Sequence, residues 1–470
     1  MSDQSTPARE ERIEDRGTNR SRTPQSQKFL DYIGSGWADS DTDLPARAEV
    51  ASFAAARRAA VAKEFGGKLI VIAAGPLLTR SNDTDYRFRA HSAFAHLTGW
   101  GSDSVADSVL VIDARTAKTE SFLFFRETAG KTSQEFFANP TIGEFWVGQR
   151  PSLEQVSALL DLPTKSLGNL AGFIEGVEVV DLSDSKLSEF VSELRLVKDD
   201  FEIAEMRKAV AASIKGFEEV ARNLRVATQH PRGERIVEGA FFAKARAEGN
   251  DLGYDTIAAA GAHACTLHWI INDGEVREGE LILVDAGVEV DSLYTADITR
   301  TLPISGKFTD TQRMLYEAVR EAADAAFAIA KPGIKFREIH AAAMKVIATK
   351  TAEWGMLPVS AEDSLEPDNQ FHRRWMIHGT SHHLGLDVHD CAQARREMYL
   401  DGELKPGMVF TIEPGLYFHE NDLLAPLEFR GIGIRIEDDV LVTETGVENL
   451  SAALPRSAAE IEKWLAKLTS

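Results

Sequence analysis

The pattern of apolar and polar positions changes character twice along the chain. Residues 1–44 are rich in Ser, Thr, Asp, Arg and Gln, and both signs of charge mix through Arg9, Glu10, Glu11, Arg12, Glu14, Asp15 and Arg16. So little apolar surface does not offset ordering entropy, and the segment is expected to be a flexible polar arm. Phe29, Leu30, Tyr32, Ile33 and Trp37 interrupt it and are candidates for docking on a neighbouring domain or subunit. Over residues 45–193 an Ala/Arg-rich helix at 47–65 is followed by short apolar runs at 68–73, 108–113, 121–126 and 177–182. Each run is bounded by Gly or polar residues, which is a strand signal. Strands alternating with helical stretches predict a mixed α/β domain.

The texture changes again at residues 194–207. A long helical pattern begins there and continues to about residue 224, with Asp199 or Asp200 available as its N-cap. Residues 194–470 form the second predicted domain. It mixes long helices at 311–330 and 336–354 with short strands flanked by glycine. The whole is therefore expected to be α/β (α+β). A length of 470 residues agrees with more than one core.

Charge narrows the function. Lys plus Arg number 52 and Asp plus Glu 73, a net charge of −21. That balance argues against a nucleic-acid binder and against an anionic membrane surface. It serves solubility, and it is compatible with carboxylates that ligate cations. The two cysteines, Cys265 and Cys391, build neither a disulfide framework nor a Cys-based zinc site, and they suit a reducing compartment. No apolar run approaches the roughly 18–20 residues of a membrane span, and the N-terminus lacks the apolar core of a secretory signal. A cytoplasmic location is expected.

Five segments of the second domain put an acidic residue or a histidine on or beside a strand-like apolar run. A lone buried carboxylate is costly there unless it is paired or binds metal. In residues 280–287 the apolar run Leu281–Val284 leads into Asp285, Ala286 and Gly287; alone, this reads as a strand ending in an Asx turn. In residues 294–301, Thr295, Asp297, Thr299 and Thr301 share one face, which alone reads as an exposed polar face. Five of the 12 histidines lie between His372 and His389, where glycines argue against a helical metalloprotease motif. This clustering points to metal binding or proton transfer. Phe410 and Ile412 face opposite to Thr411 and Glu413, and Pro414 ends the strand or sits at an edge. Ile432, Ile434 and Ile436 alternate with Gly433, Arg435 and Glu437, as they would on an amphipathic surface strand or a strand facing a site. Together the segments supply four carboxylates and an imidazole. Oxygen-rich ligands with one histidine suit two ions such as Mn²⁺, Co²⁺ or Zn²⁺. Two such ions ~3.5 Å apart lower the pKa of a shared water. Four crowded carboxylates repel one another, so metal binding is expected to stabilise the fold.

At these segments the sequence resembles the pita-bread metallopeptidases of family M24, the group of methionine aminopeptidase, prolidase and aminopeptidase P. The set Asp285, Asp297, His382, Glu413, Glu437 matches the family's ligand order Asp, Asp, His, Glu, Glu. The stretches His378-Gly379-Thr380-Ser381-His382 and Gly385-Leu386-Asp387-Val388-His389-Asp390 are most similar to aminopeptidase P, or Xaa-Pro aminopeptidase. Tyr86-Arg87-Phe88-Arg89 and the following run from His91 to Gly99 look like that group's N-terminal domain. The resemblance implies that Asp285 chelates one ion and His382 with Glu413 the other, while Asp297 and Glu437 bridge both. It further implies a bridging hydroxide that attacks the peptide bond before proline, with Glu413 as proton carrier. His268 and His389 would bond substrate or oxyanion, His378 would line the pocket, and Arg435 would orient acidic groups. The expected substrates are peptides with proline second, the expected metal is Mn²⁺, and the expected assembly is a homodimer or homotetramer. A prolidase restricted to dipeptides and a non-catalytic peptide-binding module are the alternatives. The 12-residue step from Asp285 to Asp297 is one longer than is common in the group, which implies an extra residue in the connecting hairpin. His383 stands where a bulkier aromatic is expected, which would alter the substrate-facing wall. Asp83, Asp85, Tyr86 and Arg87 read either as a solvated turn or as contacts to substrate or a partner subunit.

Overall fold

The computed structural model describes residues 24, 26–82 and 84–469. They form two compact units. One runs to Gly99 and resumes over Ser104–Asp181; the other takes Trp100–Asp103 and everything described from Leu182 onward. The division falls ahead of residue 194 because the helix Ser185–Leu194 belongs to the second unit. There Arg395 clamps Glu193 with bonds of 2.6 and 2.9 Å.

The first unit is built on a five-stranded mixed sheet ordered Thr164–Ser166, Glu120–Phe125, Val109–Asp113, Leu69–Ala73, Val179–Val180. The central pairs are antiparallel and both outer strands join in parallel. Leu69, Val109, Val111 and Phe124 make its core, with Phe122, Leu170 and Phe173 packed against them. The helix Val50–Glu64 buries Arg57 and Arg58, whose guanidiniums donate to the carbonyls of His96 and Leu97 at the end of the helix Ser92–Thr98. The last carbonyls of a helix need partners from outside its own hydrogen-bond ladder, and the two guanidiniums supply them here. Thr79–Ser81 and Thr84–Asp85 pair as an exposed hairpin; Asp83 lies outside the described residues.

Part of the segment expected to be a flexible arm is instead packed. Residues 27–33 form the helix Gln27–Ile33, Phe29 meets Phe137 edge-on at 5.3 Å, and Trp37 meets Phe136 at 5.5 Å. Lys131 Nζ donates to Ala38 O at 2.6 Å. The aromatic residues supply the contact area that the polar ones lack. The arm's residues 1–23 and 25 lie outside the described residues.

In the second unit, two pairs of long helices, Asp200–Ala227 with Gly233–Glu248 and Asp310–Ile329 with Phe336–Glu353, flank short antiparallel sheets. Asp199 caps the first helix in a capping box with Glu202, which satisfies two otherwise unpaired backbone donors. One sheet is ordered Ile298–Pro303, Leu281–Ala286, Ile257–Ala260, and another Val409–Ile412, Asp438–Val442, Val447–Asn449. Pro414 separates Val409–Ile412 from Gly415–Phe418, which pairs with Ile432–Arg435. Arg300 ties these elements together. Its buried guanidinium donates to Glu437 O at 2.6 Å, to Thr299 O at 2.9 Å and to Asp438 Oδ1 at 2.7 Å. No helix among the described residues is long and apolar enough to cross a membrane.

Candidate metal centre

Asp285 lies in the strand Leu281–Ala286, Asp297 immediately precedes Ile298–Pro303, and Glu413 follows Val409–Ile412. Glu437 stands between Ile432–Arg435 and Asp438–Val442. The antiparallel register opposes Asp285 to Thr299, two residues beyond Asp297, so both aspartates emerge at one end of the sheet. His382 comes from an irregular segment pinned to the strand bearing Glu413, through Thr411 N to His382 O and His382 N to Thr411 Oγ1. These five side chains line one cavity of about 540 Å³ with His268, His378, His389 and Arg435. That volume is ordinary for a small-molecule site. The strand faces that alone read as exposed are buried: Asp297 is 4 % exposed and Glu437 1 %.

Within the cluster, His382 Nε2 is 3.2 Å from Asp297 Oδ2, 3.4 Å from Glu413 Oε1 and 3.9 Å from Glu437 Oε1. One ligand atom from each of Asp297, His382 and Glu437 falls within 4.8 Å of the others. His382 Nδ1 sits 3.2 Å from its neighbour's carbonyl, His383 O. A proton on Nδ1 satisfies that carbonyl and turns the Nε2 lone pair toward the carboxylates, as a metal-ligating imidazole requires. Glu437 Oε1 is buried with no hydrogen-bond donor. An unpaired buried carboxylate oxygen facing an imidazole and other carboxylates fits a missing positive charge.

Electrostatics agree. Burial pushes Glu413 up to about 7 against the pull of His382 and Arg435. Glu437 is raised well above the carboxylate range by burial and then by Asp297, Glu413 and Asp285. Burial also raises Asp285, opposed by Arg435. Asp297 goes the other way: burial would raise it, but bonds with His382 and Tyr254 prevail. His382 would be lowered by burial, yet Asp297 and Glu413 hold it at about 9. Without cations these groups do not all ionise together; divalent ions remove that conflict and displace protons as they bind.

Two contributors, Tyr254 and Tyr417, were not legible as site residues. Tyr254 OH donates toward Asp285 Oδ1 at 2.6 Å and also contacts Asp297 Oδ1. Thr299 Oγ1 donates to Glu437 Oε2 at 2.7 Å, and Arg435 Nη2 to Asp285 Oδ2 at 2.5 Å. Arg435 Nη1 donates to Tyr417 OH at 3.1 Å, and that hydroxyl lies 2.7 Å from His378 Nε2. Burial, with Arg435 adding to it, pushes His378 down to about 3, so the ring is neutral and accepts from Tyr417. Tyr417 could have been found by strand alternation, since Gly415 and Tyr417 continue the face of Glu413; Tyr254 carries no such signal. His383 does not face substrate. It is buried, stacked on Phe336 at 4.5 Å and edge-on to Tyr399 at 4.6 Å. Its backbone bridges to Phe410, and its ring turns into the core while His382 reaches the cavity.

Gly287 shows how tightly the hairpin is drawn. A Cβ there would lie 1.7 Å from Ala296 O. Gly287→Ala is therefore expected to destabilise by about 1–3 kcal/mol and to weaken metal binding as Asp285 and Asp297 are pushed apart. Urea denaturation and metal titration measure the two effects, and an unchanged midpoint would contradict the contact.

A family profile described as Metallopeptidase family M24 matches residues 204–444. The chain belongs to that family. It is a metal-dependent peptidase of the pita-bread fold, and its residues 54–175 match the profile of the aminopeptidase P N-terminal domain. Xaa-Pro aminopeptidase 1 of Streptomyces coelicolor is 47% identical over 464 residues, covering 94% of this chain and 93% of the relative. The Xaa-Pro aminopeptidase of Escherichia coli is 30% identical, covering 86% and 95%. Among solved structures, a variant of E. coli aminopeptidase P in complex with substrate has a TM-score of 0.77 at 28% identity, covering 91% of this chain and 99% of that one. Aminopeptidase PepP of Pseudomonas aeruginosa has a TM-score of 0.77 at 29% identity, covering 89% and 98%.

Proposed function

We propose that this protein is an Xaa-Pro aminopeptidase that removes the first residue from peptides with proline in second position, using two Mn²⁺ ions. The observation that carries it is the convergence of four carboxylates and the His382 imidazole on one cavity wall, with Glu437 Oε1 left without a donor. The names and near-complete coverage of the relatives point to the same substrate class. Asp285 would hold one ion, His382 and Glu413 the other, and Asp297 and Glu437 both. When bound, such ions polarise the scissile carbonyl and make water nucleophilic at neutral pH.

The remaining work falls to side chains. The bond before proline is a tertiary amide, so its leaving group is a secondary amine that must gain a proton. Glu413, 3.4 Å from His382 Nε2 and 3.5 Å from His378 Nδ1, is the carrier. His268 and His389 donate to the substrate carbonyl as it becomes an oxyanion. His378, Tyr417 and Arg435 form a chain of hydrogen bonds that ends on Asp285 and orients it.

The test supplies Mn²⁺ with an Xaa-Pro-Yaa tripeptide and, separately, an Xaa-Pro dipeptide, and follows free Xaa by mass spectrometry. Release from the tripeptide is expected. Release from the dipeptide alone would make the protein a prolidase. No release from either, with metal bound, would end the proposal.

A further inference from the structure

Residues 261–280 connect the strand Ile257–Ala260 to Leu281–Ala286 and carry Leu267, His268 and Ile270 onto the cavity wall. Beyond the 3₁₀ turn Gly261–Cys265 this connection has no regular secondary structure. A single carboxylate gathers it. Glu234, in the first turn of the helix Gly233–Glu248, is fully buried. Its Oε1 accepts from Ala260 N at 2.8 Å and lies 2.8 Å from His263 Nδ1. Its Oε2 accepts from Trp269 Nε1 at 2.9 Å and from Gly274 N at 2.7 Å. Trp269 is the neighbour of His268, and its indole stacks on the His263 ring at 3.9 Å. Glu234 N donates back to Gly274 O at 3.1 Å. A Cβ at Gly274 would lie 2.7 Å from the His263 ring and 2.8 Å from Glu234 Cδ, so only glycine lets the backbone reach the carboxylate.

We infer that Glu234 is a positioning residue for the hydrolytic reaction: by binding Ala260 at the start of this connection, Gly274 further along it and the indole beside His268, it aims the His268 imidazole at the substrate. This rests on the proposed Xaa-Pro aminopeptidase activity and on the part His268 plays in it. An ionised carboxylate offers acceptor sites for all four donors. A carboxamide turns an NH₂ group toward two of them, and the loop must move to relieve that conflict. Because His268 acts on charge that develops in the transition state, displacing it lowers kcat and leaves KM little changed.

The experiment uses the full-length, Mn²⁺-loaded protein and an Xaa-Pro-Yaa peptide. It compares Glu234→Gln, His268→Ala, the double variant and Trp269→Phe, with bound metal measured in each. Glu234→Gln is expected to lower kcat about 10- to 100-fold at unchanged metal content. In the His268→Ala background the same substitution is expected to cost little more. Trp269→Phe removes one donor while keeping an aromatic ring beside His263. It should lower kcat in the same direction by a smaller factor, and it decides the matter if Glu234→Gln does not fold. Wild-type kcat in both Glu234→Gln and Trp269→Phe, or Glu234→Gln and His268→Ala effects that simply multiply, would overturn the inference. A wild-type protein that releases no Xaa would instead remove the functional reading beneath it.

Discussion

Asp297→Asn is expected to lower kcat/KM by more than about a thousandfold, equivalent to ~4 kcal/mol of transition-state stabilisation, and to reduce the bound metal. The carboxylate is buried, 3.2 Å from His382 Nε2 and in contact with Tyr254 OH. Its backbone N–H is held by Asp439 Oδ2 at 3.2 Å, so the side chain is fixed in direction. The amide has nearly the same shape, which confines the change to charge and donor pattern. On the proposed ligand set, the variant would offer three carboxylates instead of four to two divalent ions, and one arm of the amide would not ligate. Tyr254 OH can still donate to the amide oxygen, so folding should survive. Metal analysis of the purified variant beside the peptide assay measures both effects. Bound metal and hydrolysis that both persist would show that Asp297 is not a bridging ligand.

Asp390→Asn is expected to cost about 3–5 kcal/mol of stability. Asp390 accepts from Arg195 Nε at 2.9 Å and lies 3.5 Å from Lys198 Nζ. All three side chains are buried, with exposures of 1 %, 4 % and 0 % respectively. Removing that charge takes the buried carboxylate from Lys198 and leaves Arg195 the more distant and partly exposed Asp387, whose Oδ2 is 3.8 Å from Arg195 Nη2. Burial alone would raise the Asp390 carboxyl, but Arg195 and Lys198 outweigh it and hold it at about 2. The sign of the pH dependence follows. The folded-state value is below the unfolded one of about 3.9, so the stabilisation is fully present above the unfolded value and is lost as pH falls through about 2. Denaturation of wild type and variant should therefore differ by a constant amount at neutral pH, and the gap should close in acid. A gap that stays constant down to pH 2 would mean that the charge of Asp390 is not what stabilises this corner. Because His389 is the adjacent residue, turnover is expected to fall as well.

Much of this molecule was legible from residue patterns. Helix 47–65 corresponds to Val50–Glu64, 311–330 to Asp310–Ile329 and 336–354 to Phe336–Glu353. The strand runs at 68–73, 108–113 and 121–126 sit within a residue or so of Leu69–Ala73, Val109–Asp113 and Glu120–Phe125. Such elements are visible because local periodicity reflects which face is buried. The run 177–182 shrinks to Val179–Val180, the outermost strand of its sheet, which has one hydrogen-bonded neighbour. The acidic residues at strand ends stood out because an ionisable group beside an apolar run conflicts with burial, and such conflicts mark functional sites.

What the sequence alone determined, then, is where the helices and strands lie and which carboxylates and imidazoles stand where a core side chain should be. Only the tertiary structure decided which of them meet. Arg300 and the sheet registers bring residues more than a hundred positions apart, such as Asp297 and Glu437, into one wall; His383 turns inward while His382 turns to the cavity; Tyr254 and Glu234 act from unremarkable surroundings. The physical reason is that periodicity reports one face of one element, whereas a binding site is made between elements. The distances there depend on how sheets pair and which buried charges find partners, information that no local stretch of residues contains.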